Sequence, residues 1–384
     1  MGKRVIGLGV LILVLAVVSC DIGSGSSDSG AVKAWRTVGS PGFSPGEADY
    51  IGIAIDESDT PYVVYRDNAH DDKATVMRFN GTTWETVGSP GFSGGEVWYS
   101  AIAIDSSDTP YVVYRDRDQT PEGATVMRFN GVSWQAVGEA GFSPGTVSST
   151  TIAINSYDEL YVAFKDFDHE EDGATVMKYD GTEWQTVGAA GFSVESIAST
   201  SIAIDSSDSP YVVCKDHLIN QKATVWRFDG ANWLTVGAPG FTDGSADNPT
   251  IALDSTDSPY VVCKDGGNDD FASVYRFDGV EWESFGVYRS SSSSWNAGSP
   301  AMAIDSSDNP WVVYGHPLDP TFGPWKPVVL RRDGTSWSVV GSEYFSEGSA
   351  RNLAIAIDSA DTPYVVFTDE AHGKRVTVMR YGYP

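Results

Sequence analysis

Seven tryptophans recur at an almost constant interval along this chain of 384 residues. Each opens a short β-rich run, and the intervals are 49, 50, 50, 49, 49 and 55 residues, counted along Trp35, Trp84, Trp134, Trp184, Trp233, Trp282 and Trp337. Self-similarity at such a period is the signature of an array of units that each bury an apolar face against their neighbours. The period therefore constrains the fold more than any local motif does.

Each unit contains four β-rich runs separated by turn residues. A Gly-Phe loop leads to a run such as residues 101–104, Ala-Ile-Ala-Ile, which ends in an Asp-Ser-Ser-Asp turn. The runs Tyr-Val-Val-Tyr-Arg-Asp and Ala-Thr-Val-Met-Arg-Phe follow, and an Asn-Gly or Asp-Gly pair precedes the next tryptophan. Such pairs supply the positive φ angles of tight hairpins. Four strands in about 50 residues predict one blade of a propeller.

We therefore predict an all-β fold, a single seven-bladed β-propeller with four antiparallel strands per blade. The chain ends on a third strand at residues 378–381 that has no following partner. Trp35, in contrast, opens a fourth strand that precedes the first blade. Pairing these two strands completes blade seven, closes the ring and removes an exposed sheet edge.

Some motifs resemble those of known propeller families. The Gly-x-x-Trp turn from Gly81 to Trp84 resembles the end of the Asp-box of sialidase-type propellers, and the four-strand unit resembles kelch repeats. Phe79 stands where the Asp-box has an aspartate, and Arg66-Asp67 stands where kelch repeats have a Gly-Gly doublet. As a whole, the chain resembles a bacterial lipoprotein built of propeller repeats.

The first 30 residues have the pattern of an exported, lipid-anchored protein. Lys3 and Arg4 precede an apolar run over residues 5–18 that is too short to span a bilayer. Residues 17–20, Val-Val-Ser-Cys, resemble the lipobox of bacterial lipoproteins. This resemblance implies a signal peptide over 1–19 and acylation, such as palmitate, on Cys20. The Gly- and Ser-rich composition predicts a lipidated tether over 20–30, and the repeats place the propeller at 31–384. We expect an extracytoplasmic protein on the cell membrane or the outer membrane.

The net charge of −27 limits the classes of partner. An acidic surface repels nucleic acid and anionic headgroups, so we exclude nucleic-acid binding and expect membrane contact through the lipid anchor alone. We expect a monomer. Cys214 and Cys263 occupy equivalent apolar positions in consecutive repeats. Equivalent strands of adjacent blades lie too far apart for a disulfide, so we interpret both as buried thiols.

Histidines and carboxylates recur in the loops between the second and third strands. His70 and Asp71, His169 and Glu170, and His372 are candidate metal ligands. Histidine with carboxylates suits Zn²⁺, and carboxylates alone suit Ca²⁺. No cofactor is firmly indicated, and Ca²⁺ is the ion that we retain. The alternative is that loop duplication copied these residues without a metal role.

Blade six departs from the pattern and carries the candidate ligand site. A serine-rich insertion ends at Trp295, and a longer loop carries His316, Asp319 and Trp325. Aromatic side chains on adjoining loops can stack on sugars or fill a pocket in a partner protein. The alternative is that the two insertions pack on each other.

Two hypotheses for function follow from these features. The first is a binding module that recognises a glycan or protein partner through the loop face of the propeller. The second is a glycan-acting hydrolase or lyase with a site on the same face. The arginines, such as Arg78 and Arg128, occupy copied positions, and no catalytic triad or phosphate loop stands out. We therefore expect a protein that is not an enzyme.

Overall fold

The computed structural model describes residues 32–169, 171–193, 196–287, 298–318 and 323–384. Lys33–Pro384 form one compact unit. It is a seven-bladed β-propeller of seven four-stranded antiparallel sheets, as predicted. Among the described residues, no helix is long and apolar enough to cross a membrane.

The first strand of each blade lies innermost, and neighbouring first strands contact one another around the ring. In blades one to seven they are Ala48–Ile55, Val97–Ile104, Val147–Ile154, Ile197–Ile204, Ala246–Leu253, Ala301–Ile304 and Ala350–Ile357. The second strands are Pro61–Asp67, Pro110–Asp116, Leu160–Asp166, Pro210–Asp216, Pro259–Asp265, Pro310–Pro317 and Pro363–Asp369.

The third and fourth strands complete each blade toward the outside. The third strands are Lys73–Phe79, Ala124–Phe129, Ala174–Tyr179, Lys222–Phe228, Phe271–Phe277, Trp325–Asp333 and Arg375–Gly382. The fourth strands are Trp84–Thr86, Trp134–Ala136, Trp184–Thr186, Trp233–Thr235, Trp282–Val287, Ser336–Val339 and, for blade seven, Ala34–Thr37. Short 3₁₀ turns lie at Asn68–His70, Gly266–Asn268 and Glu370–His372.

The predicted ring closure is confirmed. Ala34–Thr37 pairs antiparallel with Arg375–Gly382, and Trp35 lies opposite Tyr381. The outermost strand of blade seven therefore comes from the beginning of the propeller, and its other three strands come from the end.

The core lies between adjacent sheets. In the second strand of blade one, Val63 and Tyr65 pack toward blade seven, whereas Tyr62 and Val64 pack toward blade two. Both faces of this strand are buried, which explains its uninterrupted apolar sequence. Cys214 and Cys263 are buried free thiols, as expected, and burial raises the pKa of both.

Each tryptophan of the repeat binds its own blade to the preceding one. The Trp84 indole N–H donates to the carbonyl oxygen of Val38 at 2.7 Å, and its ring stacks on Phe43 at 4.2 Å. The same N–H···O bond is made by the other six tryptophans, Trp134, Trp184, Trp233, Trp282, Trp337 and Trp35. The outer rim is therefore linked around the whole ring.

A second series of contacts links the turns between first and second strands. Ser206 donates from its backbone N–H and its hydroxyl to the two carboxylate oxygens of Asp257 in the next blade, at 2.8 and 2.6 Å. Equivalent bonds join every pair of neighbouring turns, including Ser359 of blade seven with Asp59 of blade one. We call this series the turn belt.

The antiparallel order gives the propeller two distinct faces. One face, the turn face, carries the turn belt and the Asn-Gly or Asp-Gly hairpins. The other, the loop face, carries the loops from second to third strands and the linkers between blades. The first strands run from the loop face to the turn face, so their first residues surround the loop-face mouth of the central channel.

Candidate functional site

Near the loop face, six of the seven first strands contain a β-bulge or a related break in register. One residue in each adopts a left-handed conformation with φ between 47° and 56°: Tyr50, Tyr99, Ser149, Ser199, Asn248 and Asn352. Positive φ is costly for bulky side chains and easier for asparagine. Backbone strain of this kind persists where surrounding contacts enforce it, and it concentrates at functional sites.

Hydrogen bonds between neighbouring blades hold these left-handed residues. The Ser100 hydroxyl donates to the carbonyl oxygen of Tyr50 at 2.5 Å, and the Thr150 hydroxyl donates to that of Tyr99 at 2.5 Å. Thr200 makes the same bond to the carbonyl oxygen of Ser149. Blades two, three and four therefore each fix the bulge of the blade before them.

Five of the six left-handed residues line a cavity of about 520 Å³ in the central channel. The channel mouth is lined by Tyr50, Tyr99, Ser149, Ser199 and Asn248, and apolar residues such as Ile102 and Met302 lie deeper. A concave site with an apolar floor and a few polar groups at its rim is the usual form of a ligand site.

Among the described residues, aromatic side chains cover one side of this mouth. The Tyr50 ring lies 5.2 Å from that of Tyr99 and 6.1 Å from that of Trp98, and all three side chains are half-buried. Burial, assisted by the neighbouring Tyr99, raises the pKa of Tyr50, so the hydroxyl remains a neutral donor at physiological pH. The opposite side offers the hydroxyl and amide groups of Ser149, Ser199 and Asn248.

Three arginines surround the Trp98 ring behind this aromatic side. The guanidinium carbons of Arg66, Arg115 and Arg117 lie 6.0, 5.6 and 5.0 Å from the indole centroid. The indole N–H donates to Glu96 at 2.7 Å, and Glu96 also forms ion pairs with Arg66 and Arg117 at 2.7 Å. Trp98 is therefore held in one orientation, and Arg117 is the most exposed of the three arginines.

This site was not among the predicted ones, although the sequence contains a signal for it. Where blades three and four begin their first strands with Val-Ser-Ser-Thr and Ile-Ala-Ser-Thr, blade two begins with Val-Trp-Tyr-Ser. Substituting two aromatics for small residues at a copied position marks one blade as different. Only the ring geometry shows that Tyr50 of blade one lies beside them.

The site predicted in blade six is only partly described. Trp295 and Asp319 lie outside the described residues. His316 lies in the second strand, is 2% exposed and sits 5.6 Å from the Tyr344 ring, and burial lowers its pKa. Trp325 opens the third strand opposite Pro317 and is half-buried. The two described residues therefore belong to an extended hairpin rather than to a free loop.

The predicted metal ligands lie in separate blades. His70 bonds Asp67 at 2.8 Å and His372 bonds Asp369 at 3.0 Å, each within its own loop. Glu170 lies outside the described residues, while His169 belongs to blade three and Asp71 is exposed in blade one. Across the described part of the chain, no three His, Cys, Asp or Glu side chains come together as a metal site.

The buried aspartates beside these histidines have a structural role. Asp67 is fully buried and accepts hydrogen bonds from the Ala69 backbone N–H at 3.0 Å and from the Thr75 hydroxyl at 2.8 Å. The same arrangement recurs with Asp116, Asp166 and Asp216. These carboxylates therefore shape the loops.

Comparison with known proteins yields structural matches only. No protein-family model and no curated protein sequence matches the chain. The fold is similar to the BP39L lectin from Burkholderia pseudomallei, with a TM-score of 0.62 and 12% identity over 88% of this chain and 98% of the lectin. It is also similar to a PL25 ulvan lyase bound to -[GlcA(1-4)Rha3S]-, with a TM-score of 0.55 and 11% identity over 91% and 94% of the two chains. At such identities the similarity shows the fold alone.

The lyase matches overturn our expectation that this chain is not an enzyme. A second polysaccharide lyase, Uly1, matches with a TM-score of 0.52 and 11% identity, covering 89% of this chain and 90% of the lyase. The fold is therefore one in which glycan cleavage occurs. Our expectation rested on the copied positions of the arginines and on the lack of a catalytic triad in the sequence, and neither feature excludes an activity that this fold can carry.

Proposed function

We propose that the protein recognises a glycan at the loop-face mouth of the central channel. The carrying observation is the division of that mouth into an aromatic side, with Tyr50 and Tyr99, and a polar side of hydroxyl and amide groups. A sugar ring has apolar C–H faces and a rim of hydroxyls, so it suits a site that offers both surfaces. The lectin and lyase folds of the structural neighbours support this class of ligand.

The strain at the mouth supports the same proposal. Asparagine occupies the left-handed position in blades five and seven, as Asn248 and Asn352. Tyrosine is less stable than asparagine at that position, because the left-handed backbone conformation (αL) costs a bulky L-residue roughly 1–2 kcal/mol. Tyr50 and Tyr99 are thus placed where stability alone favours a smaller residue, which is expected of ligand-binding side chains.

The test uses asparagine, because it preserves the bulge while removing the aromatic surface. Tyr50→Asn combined with Tyr99→Asn should weaken the best ligand of a glycan array by at least about tenfold, the equivalent of 1.4 kcal/mol. Thermal stability should be unchanged or higher. A matched control, Ser199→Asn, places the same side chain in the same conformation on the opposite wall, and should retain the aromatic contacts.

The same samples should be assayed for cleavage. A lyase introduces a double bond into its product, so turnover of a uronate-containing polysaccharide is visible as a rise in ultraviolet absorbance. Binding with cleavage or binding alone both agree with glycan recognition at the mouth. Full retention of glycan binding in the double variant would reject the channel mouth as the site.

We also propose that the protein is anchored by acyl chains on Cys20, on the bacterial cell membrane or outer membrane. Cys20 lies outside the described residues, and the support is the lipobox-like sequence before it. Two or more acyl chains give stable anchoring where one gives marginal binding. Metabolic labelling with palmitate should mark the wild-type protein and leave Cys20→Ser unlabelled, and equal labelling of both would refute the anchor.

A further inference from the structure

Clefts between adjacent blades open on the turn face, opposite the channel mouth. They have volumes of about 650, 850, 530 and 440 Å³ between blades six and seven, seven and one, one and two, and two and three. Each is bordered by the turn between a first and a second strand, and by a basic residue from a third strand. The clefts therefore form a repeated set of sites.

In blades four to six, the third-strand arginine is held by a carboxylate of its own blade. Arg227 lies 2.8 Å from Asp205, Arg331 lies 2.8 Å from Asp305, and Arg276 lies 3.6 Å from Asp254. These arginines also lie over the aromatic ring of the second strand, as Arg227 does over Tyr211 at 5.4 Å. In these blades the arginine has a structural role.

In the described part of the chain, the equivalent arginines of blades seven, one and two do not pair with the first aspartate of their own turn. Among the described residues, no carboxylate lies within ion-pair distance of Arg380 or Arg128, and Arg78 pairs with the partly exposed Glu85 at 2.8 Å. Arg78, Arg128 and Arg380 lie opposite a tyrosine of the second strand, Tyr62, Tyr111 and Tyr364 respectively. A guanidinium has five N–H donors, so most donors of Arg128 and Arg380 remain available. Every one of the four clefts borders at least one of these three arginines.

The carboxylates that border these clefts are already occupied as acceptors. Asp59 accepts the backbone N–H and hydroxyl of Ser359, both at 2.8 Å, and Asp108 accepts the N–H of Glu57 at 3.0 Å. Asp56 accepts two backbone N–H groups within its own turn. These carboxylates keep their charge, but part of their acceptor capacity is engaged, whereas Arg128 and Arg380 offer donors to a ligand rich in acceptors.

We propose that the clefts served by Arg78, Arg128 and Arg380 are a second, repeated binding site for the oxyanion groups of an acidic saccharide. An arginine fork matches a carboxylate or a sulfate ester through two parallel N–H···O bonds. Cleft walls such as Pro61 and Phe79 give apolar surface beside the guanidinium for the face of a sugar ring. Both carboxylate and sulfate fit this chemistry.

The net charge of −27 shapes the affinity that these clefts can reach. A single acidic sugar gains one charge-assisted contact against general repulsion, so monosaccharides should bind weakly. Three arginine sites on one face allow an oligosaccharide to bind several clefts together, and this kind of avidity can raise affinity by roughly 10²–10⁴. Affinity should therefore increase steeply with oligosaccharide length.

The experiment compares two triple variants of the full propeller. The first variant removes the three cleft arginines through Arg78→Gln, Arg128→Gln and Arg380→Gln. The second variant is the control and changes the same strand position in blades four to six, through Arg227→Gln, Arg276→Gln and Arg331→Gln. Calorimetric titrations use an oligogalacturonate as the carboxylate probe, a sulfated galactan oligosaccharide as the sulfate probe and a neutral galactan oligosaccharide, with circular dichroism to verify folding.

We expect one or both acidic probes to bind the wild type and the blade four-to-six variant, and to lose at least about tenfold in affinity in the first variant. The probe that binds identifies carboxylate or sulfate as the ligand group. Absence of binding by both acidic probes, or an equal loss in the two variants, would overturn the proposal. Should the blade four-to-six variant unfold, the single variant Arg227→Gln replaces it as the control. The Tyr50→Asn, Tyr99→Asn protein keeps the clefts intact, so a failure at the channel mouth is distinguishable from a failure here.

Discussion

The tryptophan of each repeat contacts a glycine of the preceding blade as closely as packing allows. Gly237 has φ +67°, and a Cβ atom there would lie 3.0 Å from Cδ1 of Trp282 and 2.7 Å from Phe277. Equivalent glycines with positive φ face the remaining six tryptophans of the repeat: Gly39, Gly88, Gly138, Gly188, Gly286 and Gly341. The glycine permits both the left-handed backbone and the indole N–H···O bond to the preceding blade.

At the residue scale, Gly237→Ala should destabilise the protein more than Gly373→Ala. Both glycines have φ +67°, but nothing lies within 4 Å of a Cβ at Gly373. Both variants incur the αL penalty of about 1 kcal/mol, whereas Gly237→Ala adds a steric clash of about 1–3 kcal/mol. Denaturant unfolding measures the difference, and equal losses would show that the indole contact does not restrict this position.

The sequence predicted most residue-scale features that depend on neighbouring positions in the chain. The Asn-Gly and Asp-Gly hairpins and the Gly-Phe loops were predicted, because turn chemistry is local. It did not predict that Phe345, which follows a tyrosine instead of a glycine, stacks on Trp35 at 4.2 Å. That contact joins residues 310 positions apart, so no local pattern reveals it.

At the element scale, the turn belt explains the Asp-Ser-Ser-Asp sequence. The first aspartate caps its own turn, as Asp105 does for the backbone N–H groups of Ser107 and Thr109. The second aspartate, in the left-handed conformation, accepts the bonds from the preceding blade, as Asp158 does from Ser106. One four-residue turn therefore forms the hairpin and links two blades.

Blade one has the weakest position in the turn belt. Glu57 replaces the serine and donates only its backbone N–H to Asp108, at 3.0 Å. Glu57→Ser should restore the hydroxyl bond and stabilise the protein by about 0.5–1 kcal/mol. Glu57→Ala is the control, because it removes the same negative charge without adding a hydroxyl. The prediction fails if the midpoint of thermal unfolding is the same for both variants.

The turn belt should also make the free energy of unfolding depend on pH in the acidic range. Hydrogen bonds from the backbone and side chain of Ser106 lower the pKa of Asp158 below its ordinary value of 3.8. A carboxyl whose pKa is lower in the folded state than in the unfolded state stabilises the fold at pH values above its unfolded-state pKa. This contribution is lost as the pH falls through the folded-state pKa.

Asp158→Asn should therefore flatten the decline of stability below about pH 4. The measurement is the denaturant midpoint of the variant and the wild type over a series of pH values. Glu139→Gln is the matched control, since it removes one exposed carboxylate outside the belt. A slope unchanged in Asp158→Asn would contradict the role of this carboxylate.

Whole strands were easier to predict than their irregularities. The four-strand order of each blade follows from turn spacing and strand composition, both of which are local. The left-handed residues at Tyr50 and Tyr99 were not predicted, because the next blade enforces them through Ser100 and Thr150. The channel-mouth site depends on those bulges, so its geometry was equally invisible in the sequence.

At the scale of the whole molecule, the ring is closed without a covalent bond. Ala34–Thr37 attaches to blade seven through strand pairing, the Trp35 bond to Val340 at 2.8 Å and the stack on Phe345. Trp184 makes the same contacts, with Val137 and Phe142, but from a strand whose two ends continue into the propeller. Equivalent local contacts therefore have different consequences for the integrity of the ring.

Trp35→Ala should open the ring locally, whereas Trp184→Ala should not. We expect amide hydrogen exchange in Ala34–Thr37 and Arg375–Gly382 to increase by about tenfold or more in Trp35→Ala, because this strand can detach without unfolding a blade. In Trp184→Ala, exchange should rise moderately in its own blade. Equal local increases in the two variants would show that closure does not depend on Trp35.

The tryptophan bonds at the outer rim and the turn belt both run around the whole ring. The assembled propeller therefore depends little on which blade comes first in the sequence. Lys33 lies near Tyr383, with its ammonium group 5.4 Å from the ring centroid, so both ends of the propeller are adjacent. Joining these ends with a short linker would complete the hairpin between the third and fourth strands of blade seven. A circular permutant with new termini in the equivalent hairpin of another blade would retain both series of contacts. Any of the seven such hairpins can thus serve as the seam, and domains could be fused there without changing the rest of the disc.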